Sequence, residues 1–184
     1  NELKGKLETF RTLNNNEIRK LNDIAKKYNI KYQNKHKLDL VDEILSNVDV
    51  IPNSIVLAQA AIESGWGKSR FAKEYNALFG EYTYDDSEGV IPLERENGDT
   101  HLIKAFSSYS NSVESYFDNI NSHYAYEDFR DIRNIMRKRN NFSNVNLLVN
   151  KLSTYAEDEN YIKTIRQVIK TNNFGIFDQK TISY

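Results

Sequence analysis

The chain has 184 residues, and its 25 Lys and Arg against 26 Asp and Glu leave a formal net charge of −1. That balance argues against a general electrostatic affinity for nucleic acid, which requires an excess of basic charge. The absence of cysteine excludes a disulfide framework and a thiolate nucleophile. The sequence contains no run of about 18 apolar residues of the kind that predicts a membrane-spanning helix.

The N-terminal part has the apolar spacing of two helices, over about Asn16 to Tyr28 and about Leu38 to Ser46. Pro52 then stands where a helix can begin, because its fixed φ and missing N–H suit the first helical turn. The run that follows, IPNSIVLAQAAIES, is the most apolar in the chain. Such a helix is typically buried in the middle of a domain.

The middle of the chain changes to short alternating segments with turn-forming residues. Asn97-Gly98 is the strongest short-range hairpin signal, so we predict a small β-hairpin with strands at Leu93–Glu96 and His101–Ala105. The three histidines are widely separated, and the acidic segment 85–88 lacks the twelve-residue pattern of a calcium loop. We therefore expect no metal site.

Helical periodicity resumes at Asn111, a predicted N-cap with Glu114 at the third helical position. Further helices are predicted over about Glu127 to Lys138, Val145 to Tyr155 and Asn160 to Lys170. Together with the N-terminal helices, these predict a helical domain interrupted by one small β-hairpin lobe.

The most basic stretch of the chain is RDIRNIMRKR, at positions 130–139. Helical spacing places Arg130, Arg133 and Arg137 on one face of the predicted helix. Such a face can attract anionic wall polymers or nucleic acid, but acidic neighbours temper its charge. We interpret it as a solvated helix face, which is what charge runs usually form.

The segment AAIESGWGKSRFAKEYNALFG, residues 60–80, holds the candidate chemistry. Glu63 lies at helical spacing from Val56 and Ala60, which places its carboxyl group beside apolar side chains at the end of a helix. Desolvation there raises the pKa of a carboxyl group, as a general acid at neutral pH requires. The same pattern also fits an ordinary structural acid that caps the helix or pairs with Arg70.

The run VLAQAAIESGWGKSRFA, followed by NALFG, resembles the signature of the bacterial endo-β-N-acetylglucosaminidase family related to the flagellar peptidoglycan hydrolase. Within that family it is most similar to the Bax-type proteins. Three further segments occur in the family's order: VDVIPNS upstream, then FSSYSNSVESYFDNINSHYAYEDFRDIR and TYAEDENYIKTI downstream. The four blocks span about residues 48–169.

The resemblance implies an α+β, mainly helical fold that is lysozyme-like with a small β-hairpin lobe. It also implies a catalytic domain over residues 48–184, with residues 1–47 forming a helical arm packed on it. The implied activity is hydrolysis of the β-1,4 bond between N-acetylglucosamine and N-acetylmuramic acid, with Glu63 as the general acid. A muramidase or lytic transglycosylase acting on the same polymer, or a non-catalytic peptidoglycan-binding module, remains the alternative.

The resemblance also implies partners and surroundings. Peptidoglycan glycan strands are the expected partner, with no cofactor, no nucleic acid and no stable membrane insertion. A monomer in the periplasm, the cell envelope or the extracellular space is expected.

Family members hold a second acidic residue in the hairpin lobe, facing the catalytic glutamate. The segment PLERENGD resembles the family segment that carries it, and Glu94 is the positional match. Glu96 is the next candidate, because a shift of two residues keeps the same strand face. A mechanism without a second acid also stays open, since some glycosidases use the acetamido group of the substrate.

Five further residues are expected at the substrate site: Trp66, Tyr82, Tyr84, Asn76 and Tyr155. Tyr155 matches a family tyrosine near the cleft, although its spacing also fits a core ring. Tyr82 and Tyr84 suit stacking on sugar rings, or are solvated strand residues. Trp66, which taken alone is more typical of a core residue, is expected to support the catalytic glutamate by packing. Asn76 is expected to belong to the scaffold that leads into the hairpin lobe.

Overall fold

The computed structural model describes residues 2–8, 12–92, 100–139, 141 and 144–180. The α-helices are α1 (Glu2–Glu8), α2 (Asn15–Lys27), α3 (Lys37–Asn47), α4 (Asn53–Glu63), α5 (Arg70–Tyr75), α6 (Tyr109–Ser122), α7 (Glu127–Lys138), α8 (Asn146–Val149) and α9 (Tyr161–Thr171). Two 3-10 helices span Tyr124–Tyr126 and Phe174–Lys180. The strands are β1 (Tyr82–Thr83), β2 (Gly89–Val90) and β3 (Leu102–Lys104). This set of elements confirms the predicted α+β, mainly helical class.

The chain divides into two compact units, residues 1–50 with 118–154 and residues 51–117 with 155–184. The predicted helical arm, residues 1–47, lies wholly within the first unit, and its boundary at residue 48 stays a prediction. Among the described residues, no helix combines the length and the apolar character needed to cross a bilayer.

In the first unit, α2 and α3 form one hydrophobic cluster. Its buried members are Leu21, Ala25, Ile30, Leu40, Val41 and Ile44. A capping box begins α2: the Asn14 side chain accepts a hydrogen bond from Glu17 N (3.0 Å), and the Glu17 carboxylate accepts one from Asn14 N (2.9 Å). Both predicted helices are confirmed with ends within one residue, because their apolar stripes supply this core.

Helix α7 has the predicted bounds, but the interpretation of its basic run as a solvated face is wrong. Arg133 is 0% exposed. Its guanidinium donates to the backbone oxygens of Asn47 (2.6 Å) and Asp49 (3.0 Å) and to Asn121 Oδ1 (2.8 Å). Asn47 is the last residue of α3, where helix carbonyls lack intrahelical donors and positive charge is favoured. Arg133 therefore caps α3.

The two neighbouring arginines are held in the same way. Arg130 donates to the carbonyl oxygens of Ile120 (2.9 Å) and His123 (2.8 Å), at the C-terminal end of α6. Arg137 makes a bidentate ion pair with Asp49, through Nε to Oδ2 (2.8 Å) and Nη2 to Oδ1 (2.6 Å). The arginines on this face of α7 thus cap two helices and form one ion pair.

The second unit is built around α4, which packs against α9 and the 3-10 helix Phe174–Lys180. The predicted apolar character of α4 is confirmed, since Ile55 and Ala58 are fully buried. Pro52 precedes the first helical residue and provides no side-chain cap. Asp178 fills that role, because its Oδ1 accepts a hydrogen bond from Ser54 N (2.8 Å) at the positive end of the helix.

The three strands form an antiparallel sheet in the order β1-β3-β2, with Tyr82 opposite Ile103 and Val90 opposite Ile103 on the other edge. The predicted strand His101–Ala105 is confirmed as β3. On one edge it pairs with β2, with Gly89 opposite Lys104. The predicted strand Leu93–Glu96 and the Asn97-Gly98 turn lie outside the described residues.

Two predictions in the C-terminal half are wrong. Helix α6 begins at Tyr109 and not after Asn111, because the Ser108 hydroxyl accepts the hydrogen bond from Asn111 N (3.2 Å) and caps the helix earlier. The helix predicted over Val145–Tyr155 ends at Val149. Beyond it, the amide of Leu152 bonds three residues back, to the carbonyl of Val149. A turn therefore buries the Leu152 side chain, which the helical spacing had assigned to a helix.

The capping function of Arg133 predicts a large loss of stability in Arg133→Ala. At least three buried or partly buried acceptors lose their donor at once, so the free energy of unfolding should fall by about 3 kcal/mol or more. Arg133→Lys should recover only part of it, because an ammonium group lacks the planar fork that reaches several acceptors. Urea unfolding followed by circular dichroism measures both changes.

The matched control is Arg139→Ala, which removes an exposed arginine next to the same helix. Its effect on the free energy of unfolding should stay within about 0.5 kcal/mol. Equal losses in Arg133→Ala and Arg139→Ala would contradict the capping function.

Candidate active site

Glu63 is the last residue of α4, and a tight turn follows it directly. The buried Ser64 hydroxyl donates to Ala60 O (2.6 Å) and accepts from Gly67 N (2.8 Å), which ties the turn to the helix end. The three residues Gly65, Trp66 and Gly67 all have positive φ, of 56°, 59° and 70°. Glycine at two of these positions carries the left-handed conformation without a steric cost. The sequence ESGWG therefore holds the Glu63 carboxyl group at a fixed helix end.

The two carboxyl oxygens of Glu63 have different surroundings. Oε1 accepts a hydrogen bond of 2.7 Å from the hydroxyl of Tyr161, the first residue of α9. Oε2 lies on the side of Gly80, where an added Cβ would stand 3.6 Å from it. Among the described residues, no hydrogen bond to Oε2 is formed. Gly80 thus places no side chain beside the second oxygen of this half-buried carboxyl group.

Burial raises the pKa of Glu63 by desolvating its ionised form, and the hydrogen bond from Tyr161 opposes this by stabilising that form. The net direction is upward, as the sequence predicted. The alternative of an ion pair with Arg70 is not observed in the described part of the chain. Arg70 instead donates to Ile91 O (3.2 Å) and lies 4.0 Å from Glu74.

Tyr161 is held by a buried amide. Gln59, one helical turn before Glu63 on α4, donates from Nε2 to the Tyr161 hydroxyl oxygen (2.9 Å). Its Oε1 accepts a hydrogen bond of 2.6 Å from the hydroxyl of Tyr116 on α6. Gln59, Tyr116 and Tyr161 are 0%, 0% and 3% exposed, so water does not compete for these bonds.

The segment that carries Gly80 is fixed by contacts on its backbone. The Phe79 ring stacks on Tyr116 with centroids 4.2 Å apart, and the Phe79 carbonyl accepts a 3.0 Å hydrogen bond from the Tyr155 hydroxyl. Asn76 ends α5 in the left-handed conformation, with φ of 53°, and its Nδ2 donates to Phe106 O (2.9 Å). Asn76 and Tyr155 thus position the chain beside Glu63.

Tyr155, the tyrosine predicted from the family resemblance, contacts the backbone at Phe79 and packs against a second ring. The rings of Tyr155 and Tyr161 are parallel within 3°, with centroids 5.8 Å apart. Tyr155 is half-buried, so it is neither a fully buried core ring nor a solvated one.

The other aromatic candidates are on the surface. Trp66 is 55% exposed, so its interpretation as a core residue is wrong. Its ring lies 6.5 Å from that of Phe174. Tyr82 and Tyr84 are 64% and 77% exposed, and Tyr82 stacks on His101 with centroids 4.2 Å apart. Exposed rings of this kind are available for sugar faces.

The second carboxyl group of the sequence prediction lies in residues 93–99, so Glu94 and Glu96 fall outside the described residues. Their assignment stays a prediction. Among the residues that the structure describes, no group of three or more His, Asp or Glu side chains is arranged to hold a metal ion.

Sequence reasoning missed Gln59, Tyr116 and Tyr161. One signal was present: Gln59 is the polar residue inside the most apolar helix, four positions before Glu63 and hence on the same face. A buried amide requires partners, so this position predicted a polar contact. The identity of those partners depends on chain segments that are 57 and 102 residues away.

Comparison with solved structures defines the class of fold. The catalytic domain of the autolysin Auto from Listeria monocytogenes superposes with a TM-score of 0.52, at 17% sequence identity and with 96% of each chain covered. The chain therefore has the lysozyme-like, mainly helical fold that the sequence predicted.

The family follows from sequence. Residues 38–174 match the model of the glucosaminidase family, described as mannosyl-glycoprotein endo-beta-N-acetylglucosaminidase, and the chain belongs to this family. It is 35% identical to protein Bax of Escherichia coli over 137 residues, which are 74% of this chain and 48% of Bax. It is also 35% identical to the peptidoglycan hydrolase FlgJ of Escherichia coli over 92 residues, 45% of this chain and 29% of FlgJ. The chain thus spans about half or less of the length of these relatives.

The raised pKa of Glu63 predicts that Glu63→Gln stabilises the protein at neutral pH. In the wild type, the folded state binds the Glu63 proton more tightly than the unfolded state does. Stability from this group is therefore complete below the unfolded pKa, near 4.5, and is lost as the pH rises through the higher folded pKa. The neutral amide of Glu63→Gln has no such loss, so the variant should be more stable than the wild type at pH values above the folded pKa of Glu63.

Thermal unfolding of both proteins from pH 3.5 to 7.5 measures this difference. The Tm of Glu63→Gln should exceed that of the wild type at pH 7, by about 2–4 °C for each kcal/mol of relief. The two curves should converge at the acidic end. A difference in Tm that does not change with pH would show that ionisation of Glu63 is not its cause.

Proposed function

We propose that this chain is a peptidoglycan hydrolase, an endo-β-N-acetylglucosaminidase, and that Glu63 is its general acid. One observation carries the proposal: a half-buried carboxyl group with a raised pKa lies at the end of α4, inside the sequence block shared with the glucosaminidase family. A general acid must keep its proton at the working pH and still have an accessible oxygen. Burial shifts the pKa of Glu63 in the direction that the first requirement needs, and Gly80 places no side chain beside Oε2.

The proposed chemistry is cleavage of the β-1,4 bond after N-acetylglucosamine. Glu63 gives its proton to the glycosidic oxygen, which takes the electron pair of the breaking carbon–oxygen bond. The sugar then passes through an oxocarbenium-like state, which is positively charged. Glu94 is the proposed partner that stabilises this charge or activates the attacking water. Glu96 is the second candidate for the same function.

The proposed substrate is the peptidoglycan glycan strand. Three exposed rings, those of Trp66, Tyr82 and Tyr84, suit the apolar faces of sugars. Asn76 and Tyr155 contribute by fixing the backbone at Phe79 and Gly80 beside Glu63. Action on the cell wall places the protein in the periplasm, the cell envelope or outside the cell, and a monomer is sufficient for this site because all its described residues belong to one unit.

Mass spectrometry of glycan fragments released from purified peptidoglycan tests this proposal. The wild type should release fragments with a reducing N-acetylglucosamine end. Glu63→Gln should lower the rate by about 100-fold or more, which is the usual contribution of a general acid. Glu94→Gln should also lose most activity if Glu94 is the second acid.

The alternatives give different products. A reducing N-acetylmuramic end would indicate a muramidase, and an anhydromuramic end would indicate a lytic transglycosylase. Undiminished lysis by Glu63→Gln would show that Glu63 is not the general acid. If the activity of Glu94→Gln is close to that of the wild type, Glu96 or the acetamido group of the substrate must stabilise the charged sugar instead.

The open side of Oε2 predicts a selective effect of Gly80→Ala. The new methyl group would stand 3.6 Å from Oε2, where the glycosidic oxygen must approach. The φ of Gly80 is +62°, so the substitution also costs about 1–2 kcal/mol of stability. We expect the rate of lysis to fall at least about tenfold, equivalent to about 1.4 kcal/mol of transition-state stabilisation.

Gly67→Ala is the matched control. Gly67 has a φ of +70°, so its backbone cost is similar, but an added Cβ has no atom within 4 Å. Both variants should show similar losses of Tm, and only Gly80→Ala should lose activity beyond its loss of folded protein. Equal losses of specific activity would show that backbone strain, and not access to Oε2, is responsible.

A further inference from the structure

The hydrogen bonds behind Glu63 form one continuous chain across three elements. Tyr116 on α6 donates to Gln59 Oε1 (2.6 Å), Gln59 Nε2 donates to the Tyr161 hydroxyl (2.9 Å), and Tyr161 donates to Glu63 Oε1 (2.7 Å). We call these three residues the relay. Every member is almost fully buried, and the relay ends on the carboxyl group.

The direction of donation is the same at each step. The two tyrosine hydroxyls lie at opposite ends of the Gln59 amide, so Gln59 accepts from Tyr116 at Oε1 and donates to Tyr161 from Nε2. With its Oε1 occupied by Tyr116, its Nε2 faces Tyr161 and takes up the acceptor position of that hydroxyl. The hydroxyl proton of Tyr161 is then directed to Glu63 Oε1. Bonds aligned in this way strengthen one another in a medium of low dielectric constant.

Tyr161 stays a donor under all working conditions. Burial raises the pKa of its hydroxyl, and the neighbouring charge of Glu63 raises it further. The hydroxyl therefore does not ionise near neutral pH. Oε1 of Glu63 consequently faces a permanent donor, whereas Oε2 faces the hydrogen of Gly80.

Other charged side chains lie on the elements around this pair, and none of them is a cause of the raised pKa of Glu63. Asp178 lies on the 3-10 helix that packs against α4. It accepts a hydrogen bond from Ser54 N at the N-terminal end of α4, whereas Glu63 is at the C-terminal end. Glu81, next to Gly80, accepts a 2.8 Å hydrogen bond from Ser115. The basic residues of α9 are exposed: Lys163, Arg166 and Lys170. Tyr161 is the titratable side chain that contributes to the pKa of Glu63.

We propose that the relay of Tyr116, Gln59 and Tyr161 assigns separate functions to the two oxygens of Glu63: Oε1 is a fixed acceptor, and Oε2 carries the proton that is delivered to the glycosidic oxygen. This inference rests on the proposed function of Glu63 as the general acid. The three relay residues are positioning residues, since they act through Glu63 and do not touch the reacting atoms.

The proton-transfer step balances without any movement along the relay. The Oε2–H bond breaks, its electron pair stays on the carboxylate, and the proton bonds to the glycosidic oxygen. That oxygen receives the electron pair of the broken bond to carbon. The negative charge that develops on Glu63 is shared with Oε1, where the Tyr161 hydroxyl stabilises it. The relay thus makes Glu63 a stronger acid than burial alone would allow.

The test compares the wild type with Tyr161→Phe, Gln59→Met and Tyr116→Phe. The basic limb of the pH profile of kcat/KM on soluble glycan strands reports the pKa of the acid in the free enzyme. Carboxyl ¹³C NMR of protein labelled at glutamate, assigned with Glu63→Gln, reports the same pKa without any turnover. Both readouts should move together.

Tyr161→Phe should shift the limb and the NMR titration to higher pH by about one unit, a tenfold change in the ionisation constant. Gln59→Met and Tyr116→Phe should shift them in the same direction by less, because the Tyr161 hydroxyl remains but is no longer oriented. No shift or a downward shift in Tyr161→Phe would overturn the relay. If Gln59→Met does not fold, Tyr116→Phe decides the outer part of the relay: no shift there overturns it.

Ile165→Val is the control for structural damage. Ile165 is fully buried one turn after Tyr161 on α9, so its truncation costs about 1 kcal/mol of stability without touching a relay bond. It should lower Tm and leave both titrations in place. A shift in Ile165→Val equal to that in Tyr161→Phe would show that loosening of α9 is the cause, and would overturn the relay.

The design separates the two proposals. If Glu63→Gln retains full activity, the general acid is wrong, while the NMR titration still reports on the relay bond. If Glu63→Gln is inactive but neither titration moves in Tyr161→Phe, the relay is wrong and the general acid stands.

Discussion

The energetic constraint on this site is the balance between desolvation of Glu63 and the hydrogen bond it receives from Tyr161. Burial of a carboxyl group favours its protonated form, and a buried donor favours the ionised form. The two effects act on one group at the end of α4, and burial is the larger. Both effects depend on the packing behind Glu63: on the position of α9, the orientation of Gln59 and the stacking of Phe79 on Tyr116.

In the first unit as well, buried polar side chains form hydrogen bonds with backbone groups that would otherwise lack partners. The carbonyl oxygens at the end of α3 find their donor in Arg133, and those at the end of α6 find theirs in Arg130. Each guanidinium is buried because it replaces the water that a helix end would otherwise need. In both units, therefore, polar side chains inside the protein are placed where a helix terminates.

Family membership and local geometry support the functional proposal from independent directions. The family match covers residues 38–174, and within it Glu63 is a half-buried carboxyl group with a raised pKa and no side chain from Gly80 beside Oε2. Neither alone specifies the bond that is cleaved. The exposed rings of Trp66, Tyr82 and Tyr84 suit a sugar polymer, and the second acid is the part of the proposal that depends on residues 93–99.

The sequence by itself determined the elements whose signals are local. Apolar periodicity predicted α2, α3, α4, α7 and α9, and the glycines around Trp66 marked the turn that ends α4. The ordered family blocks indicated Glu63. Tertiary structure alone decided what lies next to it, because Tyr116 and Tyr161 reach Gln59 and Glu63 from segments far along the chain. It also buried Arg130 and Arg133 of α7, since a charge pattern shows which residues share a face but not which carbonyl oxygens that face will meet.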